Sequence, residues 1–344
     1  MTTRHPKPQW KVTLDGRDLT ATLVPRLISL TVTSDRQDTA DQLDILISDH
    51  DGKLALPPHD AVLRVYLGWS DSGYVDMGSY TVDELEHAGT PDVLTLRARS
   101  AHLRSQQRQQ REQSWHATTL GAIVDALAGR NSLTPRCHPS LAGQAIEHID
   151  QTNESDINFL TRLGKRYDAV ATIKAGALIL APIGAGTTAT GAALPRVTLT
   201  RASGDQHRYH AADRQAYSGI RAQYDDKAKA KTETVLVGTD DGKGVKTLRT
   251  TYSTKANALR AARSEYQRLQ RGTVSFDLTL ARGRADLLPE THVALSGWKP
   301  EIDATDWTIV RAEHNLGEQG FTTRLSLEWR SPNSAPESDV ADDA

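Results

Sequence analysis

Residues 10–100 alternate between apolar and polar side chains in short runs that end at turn signals. In "RLISLTVTSD" the residues Leu30 and Val32 fall on one face, and in "QLDILISDHDGKL" the residues Ile45 and Ile47 repeat the pattern before an Asp-Gly turn. A period of two is the signature of a strand with one buried face. About six such runs without a long helix predict a barrel or a sandwich.

Composition agrees with a strand-rich core. Aromatic residues make up 5% of the chain, with three Phe, so Val, Ile, Leu and Thr must fill the interior. Branched side chains of this kind favour strands over helices. The 344 residues are enough for two or three domains of ordinary size.

Charge, cysteine content and hydropathy exclude several classes of protein. The chain has 41 basic and 43 acidic side chains, which gives no case for a dedicated nucleic-acid binder. A single cysteine, Cys137, cannot form an internal disulfide. The N-terminus "MTTRHPKPQW" lacks the apolar run of a secretory signal, and we expect no membrane insertion. The sequence therefore predicts a protein made and folded in a cytoplasm.

Helices are predicted in the middle of the chain and again at residues 255–271. After the polar bridge "RSQQRQQREQSW", the segment "HATTLGAIVDALAGRNSL" can be capped by Thr118 or Thr119. "TKANALRAARSEYQRLQRG" has a second apolar stripe at helical spacing and ends at Gly272.

The segment "QTNESDINFLTRLGKRYDAVATI" carries two carboxylates, Glu154 and Asp156, that could form a catalytic acid pair. Residues two apart on a helix point to different sides, so they would not flank one bond. We interpret them as first-turn charges of a helix capped by Asn153. A hairpin follows, with Lys174-Ala175-Gly176 at its turn.

Three further motifs could carry chemistry. His207 and His210 in the loop-like "HRYH" have a spacing that a metal can use on a helix, but no further ligands are evident. Cys137 beside His138 lacks the surroundings of a known thiol nucleophile. "GAGTTATG" lacks the ending of a phosphate-binding loop and indicates a linker. We therefore assign no catalytic, cofactor-binding or metal-ligating residue and expect no cofactor.

Two basic groups have two readings. The first is Arg104, Arg108 and Arg111, which would share a helix face; the second is Lys227, Lys229 and Lys231, which would share a strand face. They either form a solvated surface or meet an acidic partner or DNA phosphates. Flanking acids dilute the lysine group, which favours the solvated surface.

The order of elements predicts an α+β, mainly β protein with two related β-barrel domains joined by a helical and hairpin insertion. No repeat of 20–50 residues is evident, although the two strand-rich regions could be similar domains. We predict a first barrel at 1–105, a helix-containing connector with a hairpin at 106–196, a second barrel at 197–330 that includes the helix 255–271, and a disordered acidic tail at 331–344.

One family resemblance covers residues 5–330. "NESDINFLTRLGKRYDA" resembles the "ESD-x-x-F-L-x-R-L" signature of tail-hub proteins of contractile phages and of the hub portion of type VI secretion spike proteins. "LLPETHVALSGW" and "WTIVRAEHNLGEQGFTTRLSLE" are similar to the late control gene D protein family of phage tails.

The resemblance implies a non-enzymatic, structural role in the virion. In such hubs a homotrimer with tail-tube-like barrels, two from each subunit, joins the sixfold tail tube to a threefold spike. The implied partners are the tail tube protein, a separate spike protein, other baseplate proteins, and a tape-measure protein or DNA in the lumen. The implied location is the tail baseplate of a phage or tail-like bacteriocin, assembled in the host cytoplasm. Alternatives are a spike-complex component of a type VI-like secretion machine and a cell-wall hydrolase or carbohydrate-binding enzyme.

Overall fold

The alternating residues of the N-terminal region form strands that curl around one core. The computed structural model describes residues 5–36, 40–58, 60–100, 109–212, 217–226, 229–240 and 244–330. The elements of this first module are β1 (Pro8–Leu14), β2 (Arg17–Asp18), α1 (Thr20–Leu23), β3 (Leu27–Asp35), β4 (Gln42–Ser48), β5 (Val62–Trp69), β6 (Gly73–Ala88) and β7 (Val93–Arg99). Leu30, Val32, Ile45 and Ile47 are buried in its core, so the predicted apolar faces are confirmed.

The middle module combines helices with two small sheets around a second core. Its elements are β8 (Gln110–Thr119), α2 (Leu120–Arg130), β9 (Thr134–Cys137), α3 (Pro139–Ala142), β10 (Ala145–Ser155), α4 (Asp156–Tyr167), β11 (Ala169–Lys174) and β12 (Ala177–Pro182). The Thr119 side chain caps α2 by accepting a hydrogen bond from the Ala122 amide at 3.2 Å, as predicted.

Two local predictions in this module have different outcomes. The hairpin turn is confirmed: Ala175 and Gly176 join β11 to β12 with left-handed φ values of 48° and 72°, as a two-residue hairpin requires. The prediction that a polar bridge and then a helix cover residues 104–119 is wrong for residues 110–119. They form β8, which pairs with β10 and gives its backbone groups partners there.

The C-terminal part contains a second strand module interrupted by an inserted module. In chain order its elements are β13 (Val197–Thr200), β14 (Gly204–Ala211), β15 (Gly219–Asp226), β16 (Lys231–Gly238), β17 (Val245–Tyr252), α5 (Lys255–Arg271), β18 (Val274–Leu280), β19 (His292–Ser296), α6 (Pro300–Asp303), β20 (Trp307–Gly317) and β21 (Gly320–Trp329). The inserted module is β15–β17 and α5: Ala258 and Ala262 of the helix pack on Ile220 and Ala222 in a separate core. The remaining elements surround the core of the second strand module.

The two strand modules have the same strand order. If the six longer strands of each module are numbered along the chain, both ladders run first, fourth, fifth, sixth, third, second. These ladders are β1-β5-β6-β7-β4-β3 and β13-β19-β20-β21-β18-β14. The modules differ in one pairing, because β1 and β5 are antiparallel whereas β13 and β19 are parallel. The α+β, mainly β class is confirmed, and the two strand-rich regions share a topology.

A seam between β3 and β20 joins the two modules into one continuous sheet. The pairing is antiparallel, from Asp35 opposite Arg311 to Leu30 opposite Leu316. Leu316 and Phe321 of the second module enter the core of the first, and the Phe321 ring lies 5.8 Å from the Trp69 ring. The seam is therefore an apolar contact supported by a strand ladder.

His314 lies in this seam and makes stability depend on pH. Its ring is fully buried, with Nδ1 3.0 Å from Thr323 Oγ1, and burial lowers its pKa from 6.5 to about 4. The unfolded chain takes up the proton at higher pH than the folded chain does. The stability that neutral His314 contributes is therefore present above about pH 6.5 and lost as the pH falls through about 4, by roughly 3 kcal/mol.

Urea unfolding between pH 7.5 and pH 4 tests this dependence. His314→Gln should lose less stability than the wild-type chain over this range, because it cannot titrate there. His5→Gln, at an exposed position, is the matched control and should behave like the wild type. Equal losses in the wild-type and His314→Gln chains would contradict the assignment.

Candidate functional site: the charged junction of the modules

The carboxylates singled out in the sequence serve the structure of the middle module. Helix α4 is capped by Ser155, whose side chain accepts from the Asn158 amide at 3.3 Å. The prediction of an Asn153 cap is wrong, because a bulge in β10 holds Asn153 in a left-handed conformation with φ 48°. Glu154 lies at the end of β10 rather than in the helix, and it accepts a hydrogen bond from Arg162 Nη2 at 2.8 Å.

Asp156 is a buried anchor between four elements. It is 1% exposed and accepts hydrogen bonds from Gln151 Nε2 at 2.9 Å and Asn131 Nδ2 at 3.0 Å. Arg130 Nη1 and Arg111 Nε lie 3.4 and 3.7 Å from its oxygens. A carboxylate satisfied from all these sides joins β8, α2, β10 and α4, and the structure does not place it beside Glu154 as an acid pair.

The other candidate residues are also dispersed. "HRYH" is part of strand β14 rather than a loop, so His207 and His210, three residues apart, point to opposite faces. No group of three or more potential metal ligands occurs among the described residues.

Burial and the charge of Asp125 raise the pKa of the Cys137 thiol to about 11, which makes it a poor nucleophile at neutral pH. Burial lowers the pKa of the neighbouring His138.

The two predicted basic faces do not form as proposed. Arg104, Arg108 and Lys227 lie outside the described residues. Arg111 is on a strand rather than a helix and faces Asp156. Lys229 lies in the turn before β16, where its Nζ is 2.8 Å from Glu233 Oε1, so it does not continue a strand face with Lys231.

Sequence reasoning missed a network of five charged side chains where all four modules meet. We call these residues the charged junction: Arg36, Asp168, Arg271, Glu290 and Glu328. Arg36 follows β3 of the first module, and its side chain is 1% exposed. It forms ion pairs with Glu290, at 3.1 Å between Nη1 and Oε1, and with Glu328 on β21.

Glu328 connects this pair to the middle and inserted modules. Arg271, the last residue of α5, has its Nε 3.5 Å from Glu328 Oε1. Its other nitrogens bind both oxygens of Asp168, with Nη1 donating to Oδ2 at 2.6 Å. Asp168 ends α4 in a left-handed conformation, which turns its carboxylate toward the inserted module. One carboxylate thus lies between two guanidinium groups from different modules.

The linker between β12 and β13 completes the charged junction. Glu290 Oε2 accepts a hydrogen bond from the Gly184 amide at 2.7 Å. Burial raises the pKa of Glu290 despite the nearby Arg36 charge. Burial lowers the pKa of Arg36, but the charges of Glu290 and Glu328 outweigh this effect and raise it overall. The arrangement is suited to holding modules together, because each buried charge depends on its partners.

Comparison with known proteins places the chain in a family. The model of the family described as phage tail baseplate hub (GPD) matches residues 24–320. The chain belongs to this family. A protein described as a probable baseplate hub protein of Escherichia phage P2 is 44% identical over 363 aligned residues, which cover 94% of this chain and 93% of the relative. The resemblance to the gene D family is confirmed, and the function expected from it, a baseplate hub protein of a contractile tail, is confirmed with it.

Solved structures of the same fold come from phage-related and secretion proteins. A 43 kDa tail protein of prophage MuSo2 from Shewanella oneidensis has a TM-score of 0.68 at 14% identity, covering 92% of this chain and 97% of its own. The E. coli c3393 protein, described as a component of the type VI secretion system, has a TM-score of 0.56 at 12% identity, covering 94% of this chain and 77% of its own. These likenesses concern the fold alone.

Within the described ranges, no helix of this hub protein is long and apolar enough to cross a membrane.

Removing one arginine tests the charged junction. Arg271→Met should lower the free energy of unfolding by about 3–5 kcal/mol, because it leaves Asp168 and Glu328 buried with fewer partners. Arg268→Met is the matched control: this side chain is 60% exposed and pairs with Glu265 in the same helix, so its loss should cost no more than about 1 kcal/mol. Equal destabilisation of the two variants in urea unfolding would show that the charged junction stabilises the fold no more than an exposed ion pair does.

Proposed function

We propose that this hub protein is a structural, non-enzymatic subunit that assembles as a homotrimeric ring. The ring would join the sixfold tail tube to a threefold spike. The observation that supports this proposal is the shared strand order of the two strand modules within one chain. Three copies of the chain supply six modules of like topology around one axis.

The internal seam is a head-to-tail contact, the type of contact from which rings are built. Within a chain, the second strand of the first module pairs with the fifth strand of the second module. Such a head-to-tail contact uses two different edges, and its repetition forms a closed ring when the rotation at each step is one-sixth of a turn. The charged junction supports the orientation of the two modules within each chain and so the angle of the internal step.

The proposed partners follow from this geometry. One end of the ring would contact the tail tube protein, and the other a separate spike protein, with other baseplate proteins around the outside. A tape-measure protein or DNA would pass through the lumen. We place the assembled protein in the tail baseplate of the virion, after assembly in the host cytoplasm.

The predicted domain boundaries remain part of this proposal. A first barrel at 1–105, a connector at 106–196 and a second barrel at 197–330 correspond to the first, middle and C-terminal cores, with the inserted module inside the third segment. The tail at 331–344 lies outside the described residues.

A phage tail is favoured over a secretion machine. The relative at 44% identity comes from a phage, whereas the likeness to the type VI component is at 12% identity. An enzymatic role has less support, because Glu154 and Asp156 are engaged in separate structural contacts.

Solution mass tests the trimer. The purified chain is mixed with its tail tube and spike partners and measured by light scattering. The measurement should detect a species in which this chain contributes three times its subunit mass of 37.6 kDa. A mass fixed at one subunit, with both partners present, would refute the proposed function.

The hydrolase alternative has its own test. The purified chain should leave the turbidity of a peptidoglycan suspension unchanged, with lysozyme as the positive control. A loss of turbidity that scales with protein concentration would overturn the non-enzymatic proposal.

A further inference from the structure

Strand β14 ends the large sheet with an open edge. Among the described residues it pairs with β18 alone, and nearly all of its side chains are exposed. The strand at the equivalent place in the first module is β3, which is covered by β20. Val32 of β3 is fully buried, whereas Tyr209 at the matching position of β14 is 41% exposed.

The positions can be matched residue by residue because both modules have bulges at the same places. The β3–β4 ladder shifts between Leu27 and Ser29, and the β14–β18 ladder shifts between Gly204 and Gln206. Gly204 therefore corresponds to Leu27, and each later residue of β14 corresponds to the residue of β3 that lies the same number of positions after Leu27.

The same holds for the fifth strands. The β6–β7 ladder shifts between Val82 and Glu84, and the β20–β21 ladder shifts between Ile309 and Arg311. Glu84 therefore corresponds to Arg311, the first residue of β20 that pairs with β3.

Strand β6 has an open edge where β20 has the seam. Its pairing with β5 ends at Thr81, and residues 84–88 pair with β7 on one side. On the other side these residues have no ladder within the part of the chain that the structure describes. Each chain thus has one seam formed internally, and among the residues that the structure describes nothing pairs with the two edges needed to form a second seam.

The geometry points to an intersubunit seam in which β14 of one subunit pairs antiparallel with β6 of the next. This inference rests on the proposed ring and deepens it. Transferring the register of the internal seam places Glu86 opposite His210 of the neighbouring copy, and Glu84 opposite Ala212. Three internal and three intersubunit seams then close a ring of six modules, and the edges of β14 and β6 are no longer open to unwanted pairing.

Charge complementarity supports a second copy as the occupant. Glu84 and Glu86 lie on one face of β6, and with Asp44 they share a single guanidinium group, that of Arg97. This surface keeps an acidic excess. Arg208 and His210 lie on one face of β14, where Arg208 is opposite Asp277 of β18. A carboxylate that accepts a hydrogen bond from a histidine ring or lies near a guanidinium group stabilises a ladder, whereas like charges destabilise it.

The internal and intersubunit seams differ in character. The internal seam buries Leu316 and Phe321 in the core of the other module. The corresponding positions in the first module are Gly89, which is exposed, and Asp92, which is half-buried and polar. The intersubunit seam is therefore polar and charged. This chemistry suits a contact between subunits that must be soluble before they assemble.

Disulfide trapping tests the register. In a Cys137→Ser background, Glu86→Cys with His210→Cys should give disulfide-linked chains on oxidation of the trimer, because opposed residues in an antiparallel pair are about 4.5–5.5 Å apart at Cα. Glu86→Cys with Asp205→Cys is the matched control, since the second thiol moves about 17 Å along the strand. Trimers without a crosslink at 86 and 210, or with equal crosslinking in the control, would overturn the seam and leave the ring intact.

Charge reversal gives an independent measurement. Glu84→Lys with Glu86→Lys, or Arg208→Glu with His210→Glu, should each weaken trimer formation at least tenfold, and the four changes together should restore it. Glu147→Lys, an exposed change on β10, should have no effect. Trimers unaffected by either reversal would overturn the seam. A wild-type chain that stays monomeric with both partners present would instead overturn the proposed function itself.

Discussion

The position of Glu328 between Arg36 and Arg271 is the interaction on which the arrangement of the modules depends. The two strand modules share apolar contacts at the seam, where Leu316 and Phe321 enter the first core, but the middle and inserted modules have separate cores. A buried charge without a partner costs several kcal/mol, which penalises packed arrangements that leave any of the five side chains buried and unpaired. The charged junction therefore holds the middle and inserted modules against the two strand modules that the seam already joins.

A defined shape is what a symmetry adapter requires. The strand order repeated within one chain gives two modules that can occupy equivalent places, and the seam between β3 and β20 sets the step between them. The inserted module interrupts the second strand module between β14 and β18 without changing its ladder. The repeat thus accounts for the ring of six modules that we propose, and the additions distinguish the two halves of each subunit.

Local features of this architecture could be predicted from the sequence, and contacts between distant residues could not. The alternation of Ile45 and Ile47 and the cap at Thr119 depend on neighbours in the chain, and both predictions are confirmed. The predicted Asn153 cap of α4 is wrong because a bulge in β10 determines the backbone conformation of Asn153, and no sequence pattern indicates that bulge. The edge strand β14 lacks the alternation of a half-buried strand and therefore resembles a loop. The charged junction leaves no local pattern, since Arg36 and Glu290 are 254 residues apart.

A reconstruction of the assembled baseplate by electron cryomicroscopy, computed without imposed symmetry, tests the central claim most directly. The account predicts three copies of this chain around the tail axis, with six modules of like topology at one level and β14 of each subunit beside β6 of the next. Six copies at that level, or a single strand module from each chain facing the axis, would contradict it.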